Sequence, residues 1–115
     1  MGSATSAATA PHYVWGGACD GWRLCDEPAL SVIEERMPPG TAETPHRHAR
    51  ATQVFYVLDG ELTLDCDGTA TTLPTGVALT VPPSTPHQAR NLGTVAARFL
   101  VISAPSTRGD REEMA

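Results

Sequence analysis

Gln53-Val54-Phe55-Tyr56-Val57-Leu58-Asp59-Gly60-Glu61-Leu62-Thr63-Leu64-Asp65-Cys66-Asp67-Gly68 reads as two short strands, each ended by Asp-Gly. In extended backbone alternate side chains share a face, so Gln53, Phe55 and Val57 point one way and Val54, Tyr56 and Leu58 the other. On the second run Leu62, Leu64 and Cys66 share the side that faces a core. Asp59-Gly60 and Asp67-Gly68 predict hairpin turns, because glycine supplies the positive φ that tight turns between strands need. The same texture continues outward, with short apolar runs at Leu30–Met37, Val77–Val81, Gln88–Asn91 and Val95–Ile102, and weaker ones at Tyr13–Trp15 and Trp22–Leu24. The 10 Gly and 10 Pro fall between these runs. Many short strands with this punctuation and no helical cover predict an all-β chain, an antiparallel β-barrel of jelly-roll type.

The length of 115 residues fits one domain. Residues 1–10, rich in Ala, Ser and Thr, read as a flexible tail; 11–105 as the β-barrel domain; 106–115 as a C-terminal tail frayed at its end. No run approaches the ~20 apolar residues of a membrane helix, and the start lacks the shape of a secretory signal. A soluble, cytoplasmic protein with no membrane partner is expected. The net charge is −5 and the 8 basic residues, all Arg, are scattered, so nucleic acid is not an expected partner. The absence of Lys removes Schiff-base chemistry and the phosphate-loop lysine together. The 3 cysteines form no C-x-x-C and suit a reducing compartment, as small hydrophobes.

Of the 4 histidines, three fall in two compact stretches. In the first, Gly40 is followed by His46, His48, Gln53 and Gly60. His46 and His48 are two apart, so both imidazoles leave an extended strand on one face. The second stretch runs from Gly76 through Pro82 and Ser84 to His87 and Asn91, and brings a third imidazole from what reads as a separate strand pair. Three neutral imidazoles suit a transition-metal ion with an open coordination position.

These two stretches resemble the paired motifs of the cupin superfamily, G-x5-H-x-H-x4-E-x6-G and G-x5-P-x-G-x2-H-x3-N. Gln53 replaces the usual Glu and Ser84 the usual Gly; every other fixed position matches. The resemblance implies a single-domain cupin barrel (a double-stranded β-helix), a divalent metal within it, and often a homodimer. It implies His46, His48, Gln53 and His87 as metal ligands. The metal implied is zinc, nickel or manganese, with iron or copper as the redox alternatives. An amide in place of a carboxylate leaves the cation its full charge, so it polarises a carbonyl more strongly. Gln53 either ligates through its oxygen or donates to a bound ligand. Oxalate-decarboxylating bicupins, similar in motif, carry an Arg where this chain has Glu43, which would repel a dianion. Small sugar-acid cupins place an acid on the last barrel strand, where this chain has Leu100, Val101 and Ile102.

Glu34 and Glu35 lie mid-strand and point to opposite faces. Glu35 shares its face with Ile33 and Met37 and is the candidate catalytic acid, base or extra ligand; pairing with Arg on the solvent side is the competing reading. Glu43, at the barrel mouth, is a second catalytic candidate. Met37, Phe55, Val57 and Phe99 are expected to line or floor the cavity. Val54, Tyr56 and Leu58 form an outward apolar stripe that suits a dimer interface. Arg108 and Asp110 either cap the barrel mouth or form a solvated pair. Three functions remain open at this stage. One is a Lewis-acid enzyme that isomerises, cyclises, eliminates from or rearranges a small oxygenated metabolite, as in specialised-metabolite biosynthesis. The others are an iron or copper dioxygenase and a non-catalytic small-ligand binder.

Overall fold

Short β-prone runs separated by Gly and Pro cannot bury their apolar faces singly, so they must stack. In the computed structural model, which describes residues 2–114, they do so as two antiparallel sheets. The strands are β1 (His12–Trp15), β2 (Cys19–Glu27), β3 (Leu30–Met37), β4 (His46–His48), β5 (Thr52–Asp59), β6 (Glu61–Cys66), β7 (Thr69–Pro74), β8 (Ala78–Val81), β9 (His87–Arg90), β10 (Ala97–Ala104) and β11 (Arg111–Glu113). One sheet runs β1-β2-β3-β10-β5-β8 and the other β11-β4-β9-β6-β7. Among the described residues there is no helix.

The core lies between the sheets. β5 sends Phe55 and Val57 inward, β10 sends Ala97, Phe99 and Val101, and β6 sends Leu62 and Leu64; Met37, Leu73, Val81 and Ala89 complete it. Phe55 stands opposite Val101 and Val57 opposite Phe99, so the inward apolar side chains of the β5–β10 ladder meet one another. Each large side chain buried here contributes about 1.5–3 kcal/mol. Cys66 packs on this core beside Leu62 and Leu64, as the strand period requires, and all three cysteines are free.

Two turn expectations separate. Asp67-Gly68 closes the β6–β7 hairpin, with Cys66 opposite Thr69 and φ of 50° and 84° at the two turn residues. Asp59-Gly60 does not close a hairpin, because β5 pairs with β10 and β8 while β6 pairs with β7 and β9. It is the corner where the chain passes from one sheet to the other. The inward faces of β5 and β6 must meet across the core, and side-by-side pairing would prevent that. Gly60 has φ 74°, and a Cβ there would stand 2.6 Å from Ala96 O, so only glycine turns this corner.

Three strands lacked a legible pattern. β4 is three residues long; β7 buries only Leu73; β11 falls in the stretch expected to fray. β11 is instead an edge strand paired with β4, Arg111 opposite His48 and Glu113 opposite His46. Asp110 fixes its start: the buried carboxylate accepts from Ala49 N at 2.8 Å, Arg50 N at 3.1 Å and Ala51 N at 3.1 Å. Arg108 does not join it, pairing with Asp26 on the surface. Asn91, fully buried, donates to Met37 O and Val95 O and accepts from Gly93 N, tying the end of β9 to the end of β3.

Candidate metal centre

β4 and β9 are neighbours in the five-stranded sheet, and His46 stands directly opposite His87. The third imidazole therefore comes across one ladder of the same sheet, not from a separate strand pair as expected. Ring centroids are 4.4 Å apart for His46 and His87, 4.9 Å for His46 and His48, and 5.8 Å for His48 and His87. One nitrogen from each ring lies within 4.8 Å of the others, so the three histidines are positioned to bind a metal. His46 and His87 each donate Nδ1–H to the carbonyl two residues earlier, Thr44 O and Thr85 O, at 2.9 Å. A carbonyl only accepts, so each ring presents Nε2 as a lone pair.

The donor set has open valences. His48 Nδ1, His87 Nε2 and Gln53 Oε1 are buried and meet no hydrogen-bond partner. An orphaned buried acceptor costs about 1–3 kcal/mol, a cost that a cation relieves where such an atom ligates it. Burial pushes the imidazoles down, to about 3 at His46 and about 4 at His48, and His87 likewise; Arg111 adds to this at all three, and neighbouring rings add to it at His46 and His48. All three are neutral at pH 7, as ligation demands.

A cavity of about 220 Å³ borders two of the three histidines, His46 and His48, and its wall includes Gln53, Phe55, Glu35, Glu43, Val101 and Ser103. Of the four apolar residues expected around it, Phe55 borders it, while Met37, Val57 and Phe99 lie in the fully packed core. Glu35 faces the cavity and Glu34 faces away, bound to Arg98. Burial, then the nearby Glu43 charge, raise Glu35 to about 8, against the opposing pull of the Tyr13 hydroxyl, Arg111 and Arg23. Glu43 is raised to about 7 by burial despite accepting Ala89 N–H at 2.8 Å; its Oε1 is 3.8 Å from His46 Nδ1, too far to bond.

Several neighbours carry no signal in the sequence: Tyr13, Arg23, Ser103, Thr107 and Arg111 also line the cavity. Tyr13 reaches it by crossing a strand. It pairs with Gly21, Gly21 pairs with Glu35, and the phenol passes over Gly21 to donate to Glu35 Oε2 at 3.4 Å. A Cβ on Gly21 would collide with the ring. A second cavity of about 400 Å³ adjoins the first through shared Tyr13, Glu35, Glu43 and Arg111, and extends to Trp15. His12 stays outside, exposed and bonded to Asp20.

Two antiparallel sheets closed around a buried three-histidine cluster define a small β-barrel protein with a metal-type site. The family model described as Cupin domain matches residues 33–103, and the chain belongs to the cupin family. It is 32% identical over 69 residues to polyketide synthase CurC of Streptomyces cyaneus, covering 60% of this chain and 45% of that protein. The chain spans 60% and 45% of the lengths of the curated relatives it matches. Its fold is shared with the polyketide cyclase RemF of Streptomyces resistomycificus, at TM-score 0.85 and 20% identity, over 100% of this chain and 87% of that one. KdgF of Halomonas sp. superposes at TM-score 0.84 with 23% identity, over 92% and 96% of the two chains.

Proposed function

We propose that the protein is an enzyme that uses a divalent cation, held by His46, His48 and His87 with Gln53 Oε1 as a further donor, to transform a small oxygenated metabolite. Zinc, nickel or manganese suits this neutral N/O set, and it would supply Lewis acidity to a substrate carbonyl or hydroxyl. The chain's own residues supply the rest. Glu35, protonated near neutrality at its raised pKa, gives or takes a proton at its carboxyl oxygen; the Tyr13 hydroxyl orients it. Glu43 is the second proton-handling group. Phe55 and Val101 exclude water from that side. Isomerisation, cyclisation, elimination and rearrangement all need this pairing of carbonyl polarisation and proton transfer. The likeness to proteins named polyketide synthase and polyketide cyclase favours cyclisation in specialised-metabolite biosynthesis.

The observation that carries this reading is the convergence of one nitrogen from each of three buried histidines to within 4.8 Å of one another, beside a raised carboxyl group. Elemental analysis of the purified protein is expected to find one cation per chain, lost in His48→Ala; full metal content in that variant would overturn the site. Screening hydroxy- and oxo-metabolites is expected to give products of unchanged mass or one water lighter, without oxygen uptake. Stoichiometric oxygen uptake would move the assignment to an iron or copper dioxygenase, and metal with no turnover of any class to a ligand binder. The outward stripe of Val54, Tyr56 and Leu58, the last two nearly two-fifths exposed, supports a homodimer, which sedimentation would read directly. Free cysteines favour a reducing, cytoplasmic setting.

A further inference from the structure

The cavity contains two cations that the reaction described above does not use. Arg23 enters from β2 and Arg111 from β11, so they approach from opposite sheets, and both border the cavity that His46 and His48 line. Five of the other arginines are committed elsewhere: Arg36 to Asp20, Arg47 to Glu112, Arg90 to Asp65, Arg98 to Glu34 and Arg108 to Asp26. Arg23 instead lies 4.5 Å over the Tyr13 ring, and among the described residues no carboxylate forms an ion pair with it. Arg111 has one acidic contact, Glu113 on the same face of its own strand, at 3.6 Å; Glu113 is the more exposed of the two and borders the adjoining cavity with it. Neither cavity carboxyl group forms an ion pair with them: Glu35 meets Tyr13 and Glu43 meets Ala89 N–H, and the arginines act on both only at longer range.

The position of Arg111 is built, not accidental. Three backbone N–H groups of the β4–β5 turn hold Asp110, and this clamp starts β11 in the register that sets Arg111 beside the ligand His48. Directly opposed residues of an antiparallel pair have Cβ atoms about 5 Å apart and side chains on one face. A guanidinium on that stem reaches an anion two or three bonds from an oxygen at the histidine cluster. Its planar fork of donors matches a carboxylate.

We infer that Arg23 and Arg111 form a carboxylate seat at the inner mouth of the cavity, and that the substrate is a monoanionic 2-hydroxy or 2-oxo acid, or a larger molecule ending in that group. The carboxylate sits between the two guanidiniums, with its neighbouring oxygen toward His46, His48 and His87. A longer remainder of the molecule has room in the adjoining cavity toward Trp15, which Arg111 also borders. A dianion is disfavoured because Glu35 and Glu43 face the same space. This assignment rests on the metal reading for its orienting oxygen and adds the substrate's charge.

Calorimetric titration of metal-loaded and metal-free protein with glycolate, lactate and pyruvate, against uncharged 1,2-propanediol, tests it. Wild type is expected to prefer the acids. Arg23→Gln and Arg111→Gln should each weaken acid binding at least tenfold, and Arg111→Lys should recover part of the loss. Arg108→Gln, on the outer surface, serves as the control and should not differ from wild type. Propanediol binding should be indifferent to all four changes. Thermal melts confirm folding, and metal content is measured in every sample. Acid affinity unchanged in both glutamine variants, or no acid preference in wild type, overturns the seat. A wild type that takes up no metal counts against the metal reading alone, and the metal-free titration then decides the seat.

Discussion

Gln53 Nε2 donates a 3.1 Å hydrogen bond to Ser103 Oγ across the β5–β10 ladder, where the two residues stand directly opposite. Both are buried, at 5% and 3% exposure, so the amide has no water to turn toward. The bond uses the amide nitrogen and leaves Oε1 buried without a partner, on a residue that lines the same cavity as His46 and His48. A carboxylate at this position would have no N–H to give Ser103 and would instead accept from its hydroxyl.

Gln53→Glu is therefore expected to act in opposite directions with and without metal. In metal-free protein it buries a charge, lowering stability by about 1–3 kcal/mol. With a cation present, the added negative charge should tighten binding by at least tenfold. Thermal melts with and without added zinc check both, through a larger metal-induced rise in Tm for the variant. An unchanged metal response would show that Gln53 does not face the cation.

Glu35 should make the metal-free protein less stable as the pH rises. Its folded pKa, about 8, lies above the ordinary carboxylate value of 4.5. Between these the folded state holds a proton that the unfolded state has released, so stability falls with pH across that window and levels off above it. The lowered histidines work the other way below pH 6.5, so the comparison must be with Glu35→Gln. Relative to wild type, that variant should gain stability steadily from about pH 4.5 to about pH 8, reaching on the order of 2–4 kcal/mol. Urea titrations at several pH values read this; a gap independent of pH would mean that Glu35 ionises normally.

How the sequence and the structure relate follows from what each signal measures. The alternation in β5 and β6 reports burial on one face, which fixed the strands and the inward set Phe55, Val57, Leu62 and Leu64. It says nothing of which strand lies beside which, so Asp59-Gly60 read as a hairpin when it is a corner between sheets. The histidines were legible because residue type and spacing carry ligand chemistry. Arg111 was not, because β11 has no apolar face: its strand exists through pairing with β4 and the Asp110 clamp, both contacts across more than half the chain. Tyr13 was hidden for a related reason. Its path over Gly21 to Glu35 depends on the registers of two ladders, which no local pattern encodes.

That path predicts energetic coupling. Gly21→Ala places a methyl against the Tyr13 ring and should cost about 1–3 kcal/mol, the usual range for overpacking. In a Tyr13→Ala background the obstruction is gone, and the same substitution should be nearly neutral. A double-mutant cycle by chemical denaturation measures the difference. Equal costs in both backgrounds would mean that Gly21 is required for some reason other than the phenol above it.

Ser84 occupies φ 63°, the left-handed region in which a side chain is strained, at the motif position where the family pattern has glycine. Its contribution to the site is through backbone: Ser84 N donates to His48 O at 2.6 Å, fixing the turn before His87 against the strand that carries His46 and His48. Glycine keeps that N–H and removes the strain, at some cost in unfolded-chain entropy. Ser84→Gly should therefore stabilise the protein by about 0.5–1 kcal/mol, a rise in Tm of about 3–5 °C, with metal content unchanged. A fall in Tm would show that the hydroxyl, rather than the backbone, holds the turn, and that the departure from glycine here was selected for the side chain.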